Sequence, residues 1–546
     1  MNDARGGRAP NQRLLDIAWF LTFAVGSSLW CLTAARAVGP TFDEPVYLNR
    51  GLEGWRSGSH AGLLRMGTMP LAIDLATLPL YVRERAGGAV PVPDRDLGAL
   101  LPTARATMLV FWWILLFYGD RAGRLFAGAA GGRLAVTMLA VEPVLLGHAS
   151  FATTDVSVTA CLVALVYHFL KGRGGGFASR IGAPAFWYGA ALLAKASALL
   201  FGPVALLAAA GERGVRRLVR ETSAVVLLGL AVAFFYCGSD WKPLPSFIAW
   251  AEALPEGAGA TAMRAVAENL KIFSNAGEGL VRQVKHGIRG HGHGAYLLGE
   301  VRESFWYYFP AALGMKVSLP LLGLPLVLLA FRPAALANGA NRAALALLLL
   351  SITARVQIGV RFFLPVIALA AVGLAASTVV AARSVRRPLR IALVAAVVCG
   401  VAWNARSASA VWPHGLCYTN ELWGGAERSH LLLSDSNCDW GQGLGDLERW
   451  HREHGGLPLD VWYFGTDPAL RTMPVRSQPF HQLPITAPGD VIGRVRGRHL
   501  AVSTTLVHGT PLNESHRVTA VLLRSREPVA RTQTFFIYDF TDPQAR

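Results

Sequence analysis

The chain has 546 residues, 53% of them hydrophobic and only 16% charged, with a mean hydropathy of +0.37. That balance excludes a soluble enzyme with an ordinary surface and predicts a polytopic membrane protein. The formal charge of +17 does not predict a nucleic-acid partner, because the basic residues recur in short loops between apolar runs instead of gathering in one patch.

Apolar segments fall near residues 14–35, 104–119, 134–148, 156–170, 184–210, 222–238, 305–331, 343–359, 361–382 and 391–404. Basic clusters punctuate them at Arg5 to Arg13, Arg121 to Arg133, Lys171 to Arg180, Arg213 to Arg220, Arg332 to Arg342 and Arg383 to Arg390. By the positive-inside rule each cluster marks the cytoplasmic face. The first segment has an Arg-bearing polar flank but no clear small-residue cleavage site, so it reads as a retained anchor. Segment 184–210 lies between two basic loops and must cross twice or re-enter. Two helices of that size are each only about 20 Å long, which puts a turn near Ala194-Lys195-Ala196-Ser197 or Gly202-Pro203, where non-helical backbone is tolerated if it lines a cavity. The resulting expectation is about eleven spans, with outer loops at 36–102 and 239–304, a membrane part over 1–404, and an extracytoplasmic region over 405–546.

The last 140 or so residues change character. Runs at 459–464, 499–503 and 535–538 read as strands. Asp439 and Gln442 resemble a capping box ahead of a helix with Leu444, Leu447 and His451 at helical spacing. A small α/β domain follows. Cys31, Cys161, Cys237 and Cys399 sit in apolar runs as packing residues, while Cys417 and Cys438 lie beyond the last span, where export would allow them to pair or stay free.

Three acids face the same outer compartment: Asp43 and Glu44 in Thr41-Phe42-Asp43-Glu44-Pro45, and Asp155 in Thr153-Thr154-Asp155. Carboxylates beside a bilayer are costly unless solvated, paired or used. Arg105 opens the second span, Lys195 sits in the re-entrant turn, and Arg361 follows the turn at Gln357-Ile358-Gly359-Val360. Acids beside water with cations at membrane depth suit group transfer from a lipid-linked phosphate, in which cations hold the departing anion and a carboxylate deprotonates the incoming hydroxyl. The plainer readings are wet loop acids, a snorkelling Lys195, interfacial anchors at Arg105 and Arg361, and an N-cap at Asp155. A divalent metal between the acids is an open alternative and no other cofactor is implied. His286, His291 and His293 read as loop residues without ligand spacing.

The ordered series Phe42-Asp43-Glu44, Arg105, Arg124-Leu125-Phe126-Ala127-Gly128, Thr153-Thr154-Asp155, Leu192 to Leu199, Trp306-Tyr307-Tyr308-Phe309-Pro310 and Gly359 to Pro365 resembles the GT-C superfamily of polyprenyl-phosphate-sugar-dependent glycosyltransferases. Within it the series resembles in particular bacterial relatives of protein O-mannosyltransferases and of the lipid A aminoarabinose transferase. The resemblance implies an inverting transferase in the cytoplasmic membrane that moves mannose or another hexose to a protein, lipid or glycan hydroxyl on the outer side. Asp43 then matches the essential first-loop carboxylate, Glu44 its neighbour and Asp155 the second acid, with Arg105, Lys195 and Arg361 for the donor phosphate. Thr68-Met69-Pro70-Leu71 departs from the histidine and double proline common at that point. Ser434-Asp435-Ser436-Asn437-Cys438-Asp439-Trp440-Gly441-Gln442 resembles a DSN-x-DWGQ signature of some bacterial members, read here as a turn and cap in preference to a sugar site. A transporter or flippase for an anionic lipid is the alternative from another class.

Overall fold

The computed structural model describes residues 10–211, 214–272 and 274–542. Arg5, Arg8 and Arg213 of the expected basic clusters lie outside these residues. Helix α1 (Pro10–Ala37) enters first. Its N-terminal end is tied by Asp16, which accepts from Arg124 at 2.8 Å and Arg133 at 2.9 Å. Helices α2 (Glu44–Ser57) and α3 (Pro70–Arg85) follow.

A straight α4 (Pro93–Ala140) would reach about 72 Å, twice the thickness of a bilayer. Gly128 prevents that, with φ 71° and ψ −164° inside the run, a conformation open to glycine and few others. The chain doubles back there: a Cβ on Gly123 would lie 2.5 Å from the Gly131 carbonyl oxygen. The two apolar segments expected at 104–119 and 134–148 are thus the arms of a helical hairpin. Helix α5 (Asp155–Lys171) runs beside it.

Helices α6 (Ala183–Ala194) and α7 (Ala198–Ala209) form a second hairpin. Lys195 is extended between them (φ −159°, ψ 133°), and the Tyr188 hydroxyl donates across to the Leu199 carbonyl at 3.2 Å. At the far end, the open carbonyls of Ala208 and Ala209 accept from Arg342 at 3.1 and 3.0 Å, which satisfies groups a helix terminus leaves unpaired. The break lies at Ala194-Lys195-Ala196-Ser197, the first of the two expected places.

Helix α8 (Val215–Cys237) leads to a long connection carrying α9 (Ser274–Arg289) and the short hairpin of β1 (Ala295–Leu297) and β2 (Glu300–Arg302). The segment expected as one run over 305–331 is broken into α10 (Tyr308–Lys316) and α11 (Leu319–Phe331), bent by 106°. Helix α12 (Gly339–Ser351) stops short of the expected 359, so residues 352–359 are free to form a loop. Helices α13 (Leu364–Ser384) and α14 (Arg387–Ala410) complete the membrane part. Among the described residues six helices are long and apolar enough to cross a membrane, or seven if the bent pair is one span. The spans at α5 and α13 are each 83% buried and form the centre, whereas α14 is 6% buried and lies on the rim.

Beyond α14, helix α15 (Leu444–Glu453) precedes a five-stranded sheet ordered β4-β3-β5-β7-β6, formed by β3 (Leu459–Trp462), β4 (Arg476–Ser477), β5 (His499–Ser503), β6 (Ala530–Arg531) and β7 (Phe535–Asp539). Strand β3 is parallel to β4 and β5, and β7 is antiparallel to β5 and β6. The alternation sends Trp462, Leu500, Val502, Phe536 and Tyr538 into one core and Leu459, Val461, Ala501, Phe535 and Ile537 into another. Both faces are covered, the first by α16 (Pro488–Val495) and α17 (Glu514–Arg524), the second by α15.

Candidate active site

The phrase Phe42-Asp43-Glu44 sends its two carboxylates to different fates, because α2 begins at Glu44 and neighbours at a helix start point apart. Glu44 is wholly buried. It accepts from the Thr41 amide at 2.8 Å, the Ala152 amide at 2.8 Å and Arg105 at 2.8 and 2.7 Å. The other Arg105 donors reach the carbonyls of Ala35 at 2.6 Å, Val38 at 3.0 Å and Gly39 at 2.7 Å. All five guanidinium N–H groups are therefore used. This departs from the expected roles of Arg105 as a phosphate ligand and Glu44 as a reacting carboxylate. The pair staples the connection between α1 and α2 to α4 and to the loop before α5.

The remaining four predicted residues converge. Asp43 Oδ2 accepts from Arg361 at 3.1 Å and from the Tyr47 hydroxyl at 3.4 Å. The same Arg361 nitrogen lies 3.8 Å from Asp155 Oδ2, and Asp155 Oδ1 accepts from Lys195 at 2.5 Å. The result is an alternating chain, Asp43, Arg361, Asp155, Lys195, drawn from four separate parts of the sequence. Asp155 does not cap α5: the N-cap is Thr154 and makes no side-chain bond. Lys195 does not stretch to the interface; its ammonium sits 4.1 Å from the centre of the Phe362 ring, a cation–π contact that partly replaces lost water. Two atoms in the chain are buried without a hydrogen-bond partner, Asp155 Oδ2 and Arg361 Nε. Buried polar atoms of that kind are costly.

Two cavities meet at this chain. Toward the C-terminal domain, a cavity of about 650 Å³ is lined by Phe42, Asp43, Gln357, Arg361, Asp435 and Trp440 among others. Toward the helices, a mostly apolar cleft of about 350 Å³ is lined by Lys195, Leu199, Phe201, Leu350, Val356 and Phe362 among others. Asp43 and Arg361 face the first, Lys195 the second.

Sequence reasoning assigned no site role to the residues that hold Arg361. Trp440 lies under its guanidinium, 4.0 Å from the ring centre. The loop before it is gripped by the segment around Asn437: Asn437 Oδ1 accepts from the Val360 amide at 3.0 Å, and the Ser436 hydroxyl donates to the Ile358 carbonyl at 2.7 Å. A Cβ on Gly359 would run into the Ser436 hydroxyl. Lys316 adds a donor to the Asn437 carbonyl at 2.5 Å and to the Leu416 carbonyl at 2.7 Å. The DSN-x-DWGQ signature is thus a clamp, and a preference for helix capping there is corrected. Gln442 bonds the Trp440 amide and the Cys438 carbonyl, Asp439 accepts from the Thr505 and Gly441 amides, and α15 starts at Leu444 without a side-chain cap.

Cys417 and Cys438 carry free thiols, the former donating to the Cys438 carbonyl at 3.0 Å. Among the described residues no group of three His, Cys, Asp or Glu side chains could hold a metal ion. Asp43 and Asp155 are bridged instead by Arg361. His291 and His293, expected as plain loop residues, line the outer cavity, and burial pulls His291 below its ordinary value.

No family model matches the chain, and no curated protein does. Among solved structures it is similar to ArnT from Cupriavidus metallidurans. With that protein bound to undecaprenyl phosphate, the TM-score is 0.47 at 16% identity over 96% of this chain and 99% of that one. The archaeal oligosaccharyltransferase AglB from Archaeoglobus fulgidus, in complex with an inhibitory peptide and a dolichol-phosphate, gives 0.47 at 12% identity over 96% and 75%. The same organism's oligosaccharyltransferase in the apo form gives 0.42 at 12% over 72% and 56%. These likenesses are loose, and the reading below rests on this chain's own residues.

Proposed function

We propose that this protein is an inverting, membrane-embedded glycosyltransferase of the GT-C type that moves a sugar, mannose or another hexose, from a polyprenyl phosphate to a hydroxyl acceptor on the outer side of the cytoplasmic membrane. The observation that carries this reading is the chain Asp43, Arg361, Asp155 and Lys195 at the junction of a cavity with charged groups in its wall and an apolar cleft. A polyprenyl tail fits an apolar cleft that ends on a lysine. An acceptor fits a wet cavity that ends on a carboxylate.

In this mechanism Lys195 and Arg361 receive the lipid phosphate and stabilise the charge it acquires on leaving. Asp155 holds both cations in place. Asp43 accepts the proton of the acceptor hydroxyl as that oxygen attacks the anomeric carbon from the face opposite the phosphate. The bond from sugar to phosphate breaks, the new glycosidic bond forms, and configuration inverts in one displacement. Glu44 and Arg105 act as scaffold. The full topology belongs to the same proposal: about eleven crossings, counting the arms of the hairpins and the shorter helices, with the cavity and the α/β domain of 405–546 outside.

The purified protein, given a polyprenyl-phosphate hexose and an acceptor, is expected to release polyprenyl phosphate in step with glycosylated product. Translocation of intact donor across a sealed vesicle without such release favours the transporter reading.

A further inference from the structure

The outer cavity carries a carboxylate that the mechanism leaves unused. Asp435 belongs to the clamp segment of the C-terminal region, yet lines the same cavity as Asp43 and Arg361. Its backbone is left-handed, with φ 56°, a rare conformation for a residue other than glycine and one that persists where surroundings enforce it. The enforcing contacts are local. The Asp435 amide donates to the Thr505 hydroxyl at 3.0 Å, and Asp435 Oδ1 accepts from the Ser436 amide at 2.6 Å. No described residue other than Ser436 bonds this carboxyl. Beside it, Arg361 is only 8% exposed and its Nε is unpartnered.

We propose that Asp435 is a second acceptor-binding carboxylate, supplied by the C-terminal domain, which accepts a hydrogen bond from a hydroxyl adjacent to the one that reacts and so selects a carbohydrate acceptor. This rests on the transferase reading above. A carboxylate bonded by Ser436 alone keeps lone pairs open to a neutral hydroxyl donor. The cavity also offers an apolar wall for a sugar ring at the exposed Phe42, which stacks on Phe464 at 5.5 Å between centroids. An anionic acceptor is disfavoured, because Asp43 and Asp435 together outweigh Arg361 in the cavity. Arg361, Asp43 and Asp439 are the charged groups that act on Asp435, with the Tyr308 hydroxyl nearby and His291 and His293 across the cavity. Burial pushes the Asp435 carboxyl up to about 6.

The test uses the full chain with a polyprenyl-phosphate hexose as donor and either a methyl hexopyranoside or isopropanol as acceptor. The native protein is expected to use the glycoside and discriminate against the single hydroxyl. Asn tolerates φ near 56° and its side-chain oxygen can still accept from the Ser436 amide, so a merely structural role predicts that Asp435→Asn behaves as the native protein. The proposal predicts instead that the KM for the glycoside rises about tenfold or more, and that the acid limb near pH 6 in kcat/KM disappears. A native KM and pH profile in the variant overturn it. Donor turnover that never reaches the glycoside overturns the carbohydrate class alone. Absence of any donor turnover overturns the transferase reading, and this proposal with it.

Discussion

At the scale of single residues, Asp43 and Glu44 are chemically alike, adjacent, and expected to fail differently. Asp43→Asn keeps the size and some hydrogen bonding but cannot take a proton from a hydroxyl. Transfer is expected to fall by about 10²–10⁴, measured as product formed at saturating donor, with the protein still inserted; near-native transfer would remove Asp43 from the mechanism. Glu44→Gln strips the anion from a buried pair whose side chains are both 0% exposed, leaving Arg105 uncompensated at a cost of about 3–5 kcal/mol. Its signature is a lowered melting temperature and poor yield, and a melting curve like that of the native protein would contradict the scaffold role. The sequence showed which residues carry charge at the ends of the apolar segments. It could not show that Arg105 spends every donor on Glu44 and three carbonyls, because those carbonyls are defined only by how the loop before α2 folds.

At the scale of elements, hydrophobic runs between basic loops located most of the helices, including the break at Lys195 where two halves lie antiparallel. The run over 305–331 was less legible. The 106° bend at Val317 and Ser318 leaves both halves apolar, so periodicity passes over it without a mark. The clamp was hidden for a different reason: Asn437 and Ser436 act on backbone atoms of residues 358 and 360, and backbone partners leave no trace in residue type. Gly359 is the element's weak point. Gly359→Ala forces a methyl into the Ser436 hydroxyl, which displaces the loop bearing Arg361. Acceptor-dependent turnover is expected to drop about tenfold or more for a shift on the order of 1 Å, with little loss of expression. Retained turnover would mean that the loop position is not set by this contact.

At the scale of the whole molecule, pH acts through the wall shared by the two halves. Burial pushes the Asp439 carboxyl up to about 7, against the hydrogen bonds from Thr505, Gly441 and Thr504 that pull it down. A carboxyl raised on folding stabilises the fold fully below its unfolded value of 3.8, and that contribution is lost as pH rises through about 7. The slope is about 1.4 kcal/mol per pH unit for such a group. Asp490 and Asp539 are held below their ordinary values, so their contributions change at more acid pH. Burial holds His430, His508 and His516 down to about 4, 3 and 4, which makes stability rise with pH over part of the same range, so the effect of Asp439 is read as a difference. The melting temperature of Asp439→Asn is expected to gain on that of the native protein as pH rises from about 4 to about 7, and a pH-independent difference would contradict this. The proposed topology is tested by single cysteines on a background lacking the six native ones. Replacements at Ser57, Glu256 and Arg496 are expected to react with an impermeant thiol reagent in intact cells, and those at Ala130 and Arg386 to stay unlabelled. Labelling at Arg386 from outside would invert the count.

The order in which the chain is made gives the clamp one more meaning. Asp43, Asp155, Lys195 and Arg361 have all been synthesised before Ser436, Asn437 and Trp440 emerge. A nascent or prematurely released chain therefore possesses every charge of the site without the wall that fixes them. Under the proposed mechanism, such a fragment is expected to release no polyprenyl phosphate until Ser436, Asn437 and Trp440 have packed against the loop that bears Arg361.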